Sequence, residues 1–513
     1  MRRSITSALA IAFGMMGLCT STLSALAAKA PPQARADIPH DAVTQHRITL
    51  GGKSYAYTAR AGTIVIRDDN EKPEATMFYT AYTLNGANAQ KRPVTFFYNG
   101  GPGSSTIWLR MGSFGPVRVV TGNPSITPPA PYTLVSNRYS LLDKSDLVFI
   151  DMPASGFGRI LRGADPKKIF GSDNDVKAFA QFIERYVMAF HRWNSPKFLF
   201  GESYGTPRSA MLVNYLQQHN IGINGVVLQS SILDYSLASS DVYGGADTDD
   251  WQYVFYLPTE AATAYYYHAV PNAPATLAAY VREVHHFAMT EYRDALDQGS
   301  NLPKARYDTI VAKLHRYLGV SEQFIRNSNL RIPAERYIAE FQREKGKTEG
   351  IYDSRFQLYT LDRAEEYPSL EPTDAAIDAP YFELGNQYLR DDLHFHTSLL
   401  YRVGAYSTIQ ADGGWDFKHN DSLPLETAGD LANAMTFNPS LRVFSANGYF
   451  DSVTPWAATV YTLHHLGLMP ALQSHITYGF YPSGHMIYLN TQALAAFHGD
   501  LERWYTQTLA AQR

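Results

Sequence analysis

The sequence predicts an α/β fold with a mostly parallel central sheet, antiparallel strands at its N-terminal side and helices on both faces. Near the N-terminus, short β-branched and aromatic runs are separated by glycines, which is typical of antiparallel strands joined by tight turns. Apolar strands then alternate with helices, which indicates a parallel sheet. The same alternation returns near the C-terminus after a long helix-rich interruption.

The first 27 residues predict a secretory signal peptide. Arg2 and Arg3 precede an apolar run at residues 8–18, and residues 25–27 offer a small-residue cleavage site. A retained anchor is the alternative, but the run is too short to span a bilayer comfortably. We therefore expect an exported protein, periplasmic or extracellular, that has no stable membrane insertion once the signal is removed.

Composition excludes several kinds of site and partner. The single cysteine, Cys19, lies inside the predicted signal peptide, so the mature protein would have no disulfide, thiolate metal site or cysteine nucleophile. Removal of residues 1–27 leaves 42 basic and 48 acidic residues, a formal charge of −6. Because no basic block is present, nucleic acid and anionic membranes are poor candidates as partners.

Secondary structure follows from hydrophobic period and turn residues along the chain. Gly51-Gly52 and Gly62 separate the first three predicted strands. The predicted strands are Gln45–Leu50, Ser54–Thr58, Thr63–Arg67, Ala75–Leu84, Pro93–Tyr98, Leu147–Asp151, Lys197–Phe200, Gly225–Gln229, Leu441–Ala446 and His475–Tyr478. The predicted helices are Asp173–Phe190, Arg208–Gln218 and Thr491–Thr506.

The strand signal fades in a tyrosine-rich, helix-rich stretch with proline breaks, which predicts an inserted helical cap. The expected organisation is a signal peptide at 1–27, a first core part at 28–233, the cap at 234–395 and a second core part at 396–513.

A serine stands at a strand end immediately before a helix, in Gly201-x-Ser203-x-Gly205. Small residues two positions on either side let the chain turn sharply and expose the serine at the strand tip, as in the nucleophile elbow of α/β-hydrolases. Asp451 and His485 follow two later strands in the order that this fold uses for the acid and the base. Singly, an aspartate here is also a common turn former and a histidine a common surface residue; together they predict a catalytic triad.

The oxyanion of such a reaction needs two backbone amides. The amide after the serine, Tyr204, supplies one. The glycine-rich loop of residues 99–103 is the candidate for the other. Phosphate binding is the alternative for this loop, but the lysine of a P-loop is absent.

Five segments together resemble the serine carboxypeptidases of the S10 peptidase family. They are "NGGPGSS", "VFIDMPASGFG", "GESYG", "GYFDSVTPW" and "SGHMIY". The matches are collinear from about residue 75 to residue 490, apart from the cap. The resemblance implies Ser203 as nucleophile, His485 as general base, Asp451 as its partner, Gly101 and Tyr204 as the oxyanion hole, and Asn99, Gly100 and Glu202 as substrate-binding residues.

In that family the asparagine and the glutamate bind the terminal carboxylate of the substrate. A glutamate can bond to a carboxylate only if one of the two keeps a proton, so such a site should favour mildly acidic pH. Arg110 is a second candidate for carboxylate recognition, with a structural or surface role as the alternative. The chain departs from the family pattern at Phe97, Ser104, Ser113, Thr206 and Tyr488.

The sequence thus predicts an exported serine carboxypeptidase that releases C-terminal residues from peptide substrates through an acyl-enzyme, with no metal or cofactor. An esterase or acyltransferase on the same triad is the alternative, and a catalytically silent binding protein on the same scaffold is a third possibility.

Overall fold

The computed structural model describes residues 38–237 and 250–512. The predicted signal peptide lies outside the described residues and stays a prediction. Among the helices of the described part, none is long and apolar enough to cross a bilayer.

The described residues form strands and helices that we number in chain order. The strands are β1 Ala42–Leu50, β2 Lys53–Arg67, β3 Pro73–Leu84, β4 Val94–Tyr98, β5 Val117–Val120, β6 Thr133–Ser136, β7 Asp146–Ile150, β8 Arg159–Ile160, β9 Lys197–Glu202, β10 Gly225–Gln229, β11 Lys347–Glu349, β12 Gln357–Tyr359, β13 Arg442–Gly448 and β14 Ile476–Tyr481. The helices are α1 Ile107–Gly112, α2 Ser172–Ala189, α3 Gly205–Gln218, α4 Trp251–Tyr266, α5 Leu277–Phe287, α6 Arg293–Gln298, α7 Lys304–Leu318, α8 Glu322–Asn327, α9 Ala334–Phe341, α10 Pro372–Gln387, α11 Tyr406–Ala411, α12 Ala428–Phe437, α13 Trp456–His464, α14 Pro470–Gln473 and α15 Thr491–Ala511.

One large sheet organises the molecule. Its strand order is β1-β2-β3-β7-β4-β9-β10-β13-β14, with β8 paired to β3. The pairs β1–β2, β2–β3 and β3–β7 are antiparallel. The pairs from β7 through β4, β9, β10 and β13 to β14 are all parallel. The predicted fold class, a mostly parallel sheet with antiparallel N-terminal strands, is confirmed.

Helices cover both faces of this sheet, so every residue of β4, β7, β9 and β10 is buried. The apolar sides of α2, α3 and α12 join one core cluster. Those of α1, α10 and α15 join the cluster on the other face. Because the four strands are covered on both sides, their side chains cannot alternate between core and solvent, and apolar residues predominate in them.

The prediction of two strands separated at Gly62 is wrong. Residues 53–67 form a single strand of 15 residues, and Gly62 pairs with Tyr79 inside it. A Cβ atom at Gly62 would lie 2.3 Å from an oxygen of the Asp41 carboxylate. The glycine therefore leaves room for a side chain from the start of the sheet and does not break the strand.

The helix-rich region predicted as an insertion lies between β10 and α11. Helices α4 to α9 bury an apolar cluster of their own, and β11 pairs with β12 in a separate two-stranded sheet that the sequence did not predict. The apolar side of α10, in contrast, packs in the core of the main sheet. The predicted limits of the cap, residues 234 and 395, stay a prediction.

Candidate active site

The carboxyl ends of the parallel strands meet at one edge of the sheet. Tyr98 pairs with Gly201, and Gln229 lies between Glu202 and Ala446 in the register. The residues that directly follow these strands are therefore neighbours in space, although hundreds of positions separate them in the chain. This edge is where open α/β sheets place their ligands.

Ser203 occupies the strained position of a sharp turn between β9 and α3. Its φ is +61°, which is unusual for a residue with a side chain. A Cβ atom at Gly201 would lie 2.0 Å from the carbonyl oxygen of Gly205, so only glycine fits there. The hydroxyl of Thr206 donates to the Ser203 carbonyl at 2.7 Å and closes the turn. The predicted elbow thus has the geometry that exposes a serine hydroxyl at the strand tip.

His485 and Asp451 form a buried hydrogen-bonded pair. His485 Nδ1 lies 2.9 Å from Asp451 Oδ2. The other carboxylate oxygen accepts from the amides of Val453, at 3.0 Å, and Thr454, at 2.9 Å. The Thr454 hydroxyl donates to Asp451 Oδ2 at 2.7 Å. With Nδ1 held by the carboxylate, Nε2 of a neutral His485 ring is left as a proton acceptor.

The surroundings of His485 move its pKa in opposite directions. Complete burial lowers the pKa of the imidazole, but the charge and the hydrogen bond of Asp451 favour the charged ring and raise the pKa above 6.5. The net effect prepares the ring to take a proton from a neighbouring hydroxyl near neutral pH.

Two residues at the end of β10 connect the serine turn to the histidine loop. The Gln229 carbonyl accepts from the amide of Ser203 at 3.1 Å. The Gln229 side chain and the Ser230 hydroxyl both donate to the His485 carbonyl, at 3.3 Å and 2.6 Å. Gln229 and Ser230 therefore connect the turn of Ser203 to the loop of His485, whose ring is bonded to Asp451.

The glycine loop lies directly against the serine turn. A Cβ atom at Gly100 would be 2.3 Å from the amide nitrogen of Tyr204, so the loop backbone and this amide are in close contact. Gly101 has a φ of +109°, which a side chain would strain. Among the backbone hydrogen bonds of the described loops and turns, neither the Gly101 nor the Tyr204 amide is a donor. Both amides are thus available to a negatively charged oxygen.

A buried carboxyl group stands beside the serine. Asn99 Nδ2 donates to Glu202 Oε1 at 2.6 Å, and Gln229 Nε2 donates to Oε2 at 2.7 Å. The Tyr488 hydroxyl adds a longer bond of 3.3 Å to Oε1. The sequence predicted Asn99 and Glu202 but missed Gln229 and Tyr488, because only the strand register brings these two side chains to the carboxyl group.

Burial favours the protonated form of Glu202. Burial raises the pKa of Glu202 to about 8, although His485 and the hydrogen bonds from Tyr488 and Asn99 pull it down. A protonated carboxyl can donate a hydrogen bond to a second carboxylate, which an ionised one cannot do.

Phe97 and Ser113, two other departures from the family pattern, make contacts of a different kind. Phe97 is wholly buried and stacks between Phe149 and Phe200, with ring centroids 4.7 and 4.8 Å apart. The Ser113 hydroxyl donates to the Leu109 carbonyl at 2.6 Å and ends α1. Both residues therefore have structural contacts.

Arg110 is also buried, beneath the glycine loop. Burial lowers its pKa, but Asp151 and the hydroxyls of Tyr82 and Tyr401 favour the charged form more strongly and raise it. This surrounding supports the structural role of Arg110 over carboxylate recognition.

A group of possible metal ligands lies at the opposite edge of the sheet. Asp143, His498 and Glu502 can bring one ligand atom each within 4.8 Å of one another. The Lys144 ammonium group already lies 3.0 Å from an oxygen of Asp143 and 3.0 Å from an oxygen of Glu502. It supplies the positive charge that a cation would bring to these carboxylates.

The strand order, the serine turn between β9 and α3, and the acid and base after β13 and β14 define an α/β-hydrolase. Within this fold, residues 57–248 match the family model described as serine carboxypeptidase. This region includes the glycine loop and the serine turn.

Individual curated relatives match about a third of the chain. The pheromone-processing carboxypeptidase KEX1 of Saccharomyces cerevisiae is 30% identical over 31% of this chain and 22% of its own length. Serine carboxypeptidase-like 45 of Arabidopsis thaliana is 26% identical over 33% of this chain and 35% of its own length. The chain thus matches between about a fifth and a third of these relatives. Among solved structures, a proline iminopeptidase of Mycobacterium smegmatis superposes with a TM-score of 0.36 and 13% identity, over 88% of this chain and all of the other.

Proposed function

We propose that the protein is a serine carboxypeptidase that releases C-terminal amino acids from peptides. The observation that carries the proposal is the buried carboxyl of Glu202, which accepts from Asn99 and Gln229 and is adjacent in sequence to Ser203. The hydrolysis of a simple ester requires no group that recognises a free carboxylate. A carboxypeptidase needs a group there that recognises the free carboxylate of the last residue.

In the acylation step Ser203 Oγ bonds to the scissile carbonyl carbon while its proton passes to Nε2 of His485. The carbonyl oxygen takes the negative charge and accepts from the amides of Gly101 and Tyr204. Asp451 holds the ring in the required tautomer and stabilises the imidazolium. When the C–N bond breaks, His485 gives the proton to the nitrogen of the departing amino acid.

Water then releases the peptide. It attacks the acyl carbon and gives a proton to His485, the bond to Ser203 breaks, and the serine oxygen recovers a proton from the ring. In both steps the charge on the substrate oxygen faces the same two amides, so one oxyanion site serves the whole cycle.

The leaving residue is held through its carboxylate. Glu202 donates its proton in a hydrogen bond to that carboxylate. The Asn99 amide and the Tyr488 hydroxyl both donate to Glu202 and so hold its carboxyl group in place. The hydrogen bond to a charged group supplies about 1.5–3 kcal/mol of binding that an amide or ester end cannot obtain.

A fluorophosphonate probe and a substrate set test the proposal together. Wild-type protein should be labelled, Ser203→Ala should not, and Ser440→Ala, an exposed serine, should be labelled like wild type. Wild type should cleave a blocked dipeptide with a free C-terminus and leave the corresponding dipeptide amide nearly untouched. Labelling with hydrolysis of esters but not of the dipeptide would establish the esterase or acyltransferase instead, and a wild type that is not labelled would favour the silent binding protein.

We also propose that the protein is exported and that the first 27 residues are removed. The support is the order of basic, apolar and small-residue regions at the N-terminus. N-terminal sequencing of the protein from a secreting host should give Ala28 as the first residue, and an intact N-terminus would contradict the proposal.

A further inference from the structure

A short segment of the inserted region, residues 350–355 between β11 and β12, contacts the loop that carries His485. The amide of His485 donates to the carbonyl of Tyr352 at 2.7 Å. The amide of the preceding residue, Gly484, donates to Asp353 Oδ2 at 3.0 Å. The Tyr352 ring also packs on the imidazole, with centroids 5.5 Å apart. Two consecutive backbone amides, those of Gly484 and His485, are therefore held by a segment that lies outside the sheet.

The same segment also holds the loop that carries Asp451. The amide of Ser452 donates to the Ile351 carbonyl at 3.0 Å, and the amide of Ser354 donates to the Phe450 carbonyl at 3.1 Å. These bonds flank Asp451 on both sides. One stretch of six residues thus connects the two loops whose separation sets the Asp451–His485 hydrogen bond.

An internal ion pair gives this segment its shape. Arg355 Nε donates to Asp353 Oδ1 at 2.8 Å, and Nη2 donates to Oδ2 at 2.5 Å. Both side chains are buried. Nη2 also donates to the Ser483 hydroxyl at 3.2 Å, and the guanidinium lies over the Phe450 ring at 5.6 Å. Arg355 therefore contacts both the loop that carries His485 and the loop that carries Asp451.

The segment is itself anchored to the inserted helices. Its Ser354 hydroxyl lies 2.5 Å from that of Thr263 on α4. The Tyr267 hydroxyl donates to the Arg355 carbonyl at 2.8 Å. On the other side, the Ile351 amide donates to Glu371 Oε2 at 2.8 Å, at the start of α10. These contacts fix the segment independently of the loops that it supports.

The close approach is built into the sequence at Gly484. A Cβ atom there would lie 2.3 Å from the Tyr352 carbonyl oxygen and 2.4 Å from Asp353 Cβ. Any other residue would push the base loop and the segment apart. The glycine before the histidine is thus required by the contact with the insertion.

We propose that residues 350–355 position the catalytic base, with Asp353 and Arg355 as positioning residues that fix His485 against Asp451. The proposal rests on the function proposed above. It makes the insertion a part of the catalytic apparatus in addition to a cover over the sheet.

Two variants test the role of the ion pair. Asp353→Asn keeps an oxygen for the Gly484 amide but removes the charge that orients Arg355, and Asp353→Asn with Arg355→Met removes both charges. The rate of fluorophosphonate labelling should fall 10- to 100-fold in both. The acid limb of its pH profile should move to lower pH, because the raised pKa of His485 depends on its contact with Asp451. Arg355→Lys should retain part of the rate.

The matched control is the pair Glu340→Gln with Arg343→Met, a 2.6 Å ion pair elsewhere in the insertion, which should leave labelling unchanged. Folded variants with the wild-type rate and pH profile, judged by circular dichroism, would overturn the proposal. The proposal would also be overturned if the loss of labelling were fully explained by the fraction of each variant that is unfolded. If Asp353→Asn does not fold, Arg355→Lys decides by the same two readouts. Labelled wild type that cleaves no peptide would overturn the proposed function alone, and unlabelled wild type would overturn both.

Discussion

At the scale of single residues, Glu202 and Ser203 show how neighbours in the chain acquire different tasks. Glu202 is the last residue of β9 and its side chain is enclosed by Asn99, Gln229 and Tyr488. Ser203 turns away from the strand at a φ of +61°. Because the turn is so sharp, a buried carboxyl and a partly exposed hydroxyl lie side by side.

Replacement of the buried acid should change the pH dependence of peptide cleavage. In wild type, kcat/KM for a dipeptide with a free C-terminus should fall as the pH rises through about 8, where Glu202 loses its proton. Glu202→Gln cannot ionise, so this alkaline fall should disappear. Below pH 7 the variant should lose at most about tenfold, because the amide also donates a hydrogen bond. A wild-type profile that stays level to pH 9 would contradict the role of Glu202.

The hydroxyl of Tyr488 should influence the pH at which kcat/KM falls on the alkaline side. Its bond to Glu202 favours the ionised carboxyl and lowers the pKa. Tyr488→Phe should therefore move the alkaline fall of kcat/KM to higher pH, with the fluorophosphonate labelling rate unchanged. Tyr359→Phe, at an exposed tyrosine, is the control and should leave the profile in place. An unchanged alkaline limb in Tyr488→Phe would show that this hydroxyl does not act on Glu202.

The sequence predicted some of these residues and not others for a physical reason. Ser203, Asp451 and His485 lie in short motifs whose glycines and strand ends are local features. Tyr488 and Gln229 carry no such signal, because an ordinary tyrosine and glutamine become site residues only through the register of β9, β10 and the loop after β14. Phe97 is the opposite case, because its place in the family pattern suggested a binding role but its side chain packs in the core.

At the scale of secondary-structure elements, a buried ion pair connects α2, α3 and the glycine loop. Arg208 Nε lies 2.5 Å from Asp175 Oδ2, and both side chains are fully buried. Arg208 Nη1 also donates to the Asn99 carbonyl at 2.7 Å. The helix that follows the nucleophile thereby fixes the start of the loop opposite it.

Removal of the acid partner in this pair should destabilise the protein strongly. Asp175→Asn leaves a buried guanidinium without its counter-charge, which costs about 3–5 kcal/mol in the free energy of unfolding. Urea denaturation measures it. Asp297→Asn is the matched control, because its ion pair with Arg293 is exposed and should contribute less than about 1 kcal/mol. Equal losses in the two variants would contradict the argument from burial.

A histidine between two carboxylates links three further elements. His419 Nδ1 lies 2.6 Å from Asp173 at the start of α2, and Nε2 lies 2.8 Å from Asp430 on α12. The hydrogen bond to Asp430 is the largest influence, and together the two acids raise the pKa of His419 to about 9. A charged imidazole thus holds α2 and α12 to the segment between α11 and α12.

Because of this contact, the stability of the protein should fall as the pH becomes alkaline. The pKa of His419 is raised on folding, so its contribution is complete below about pH 6.5 and is lost as the pH rises through about 9. The thermal midpoint of wild type should fall more between pH 7 and 10 than that of His419→Gln. His465→Gln, at an exposed histidine bonded to a backbone carbonyl, should behave like wild type. Parallel curves for wild type and His419→Gln would exclude this contribution.

At the scale of the whole molecule, the sheet could be predicted because its strands are apolar on both faces and alternate with helices. The error at Gly62 arose because the glycine was interpreted as part of a turn. In the structure it lies within a strand and leaves room for the Asp41 side chain. The β11–β12 pair and the packing of α10 on the core were missed, since both depend on contacts between segments far apart in sequence. The role proposed for residues 350–355 belongs to the same class of long-range contact.

The chain order of the site residues has a consequence for biosynthesis. Ser203 precedes His485 by 282 positions, and the insertion lies between them. At ribosomal rates of about 5–20 residues per second, this separation corresponds to roughly 15–55 s of synthesis. During that interval the growing chain carries the serine without its proton acceptor, and β13 and β14 have yet to join the sheet. A nascent chain with this topology therefore lacks its proposed proton acceptor until β14 and the loop after it have been made.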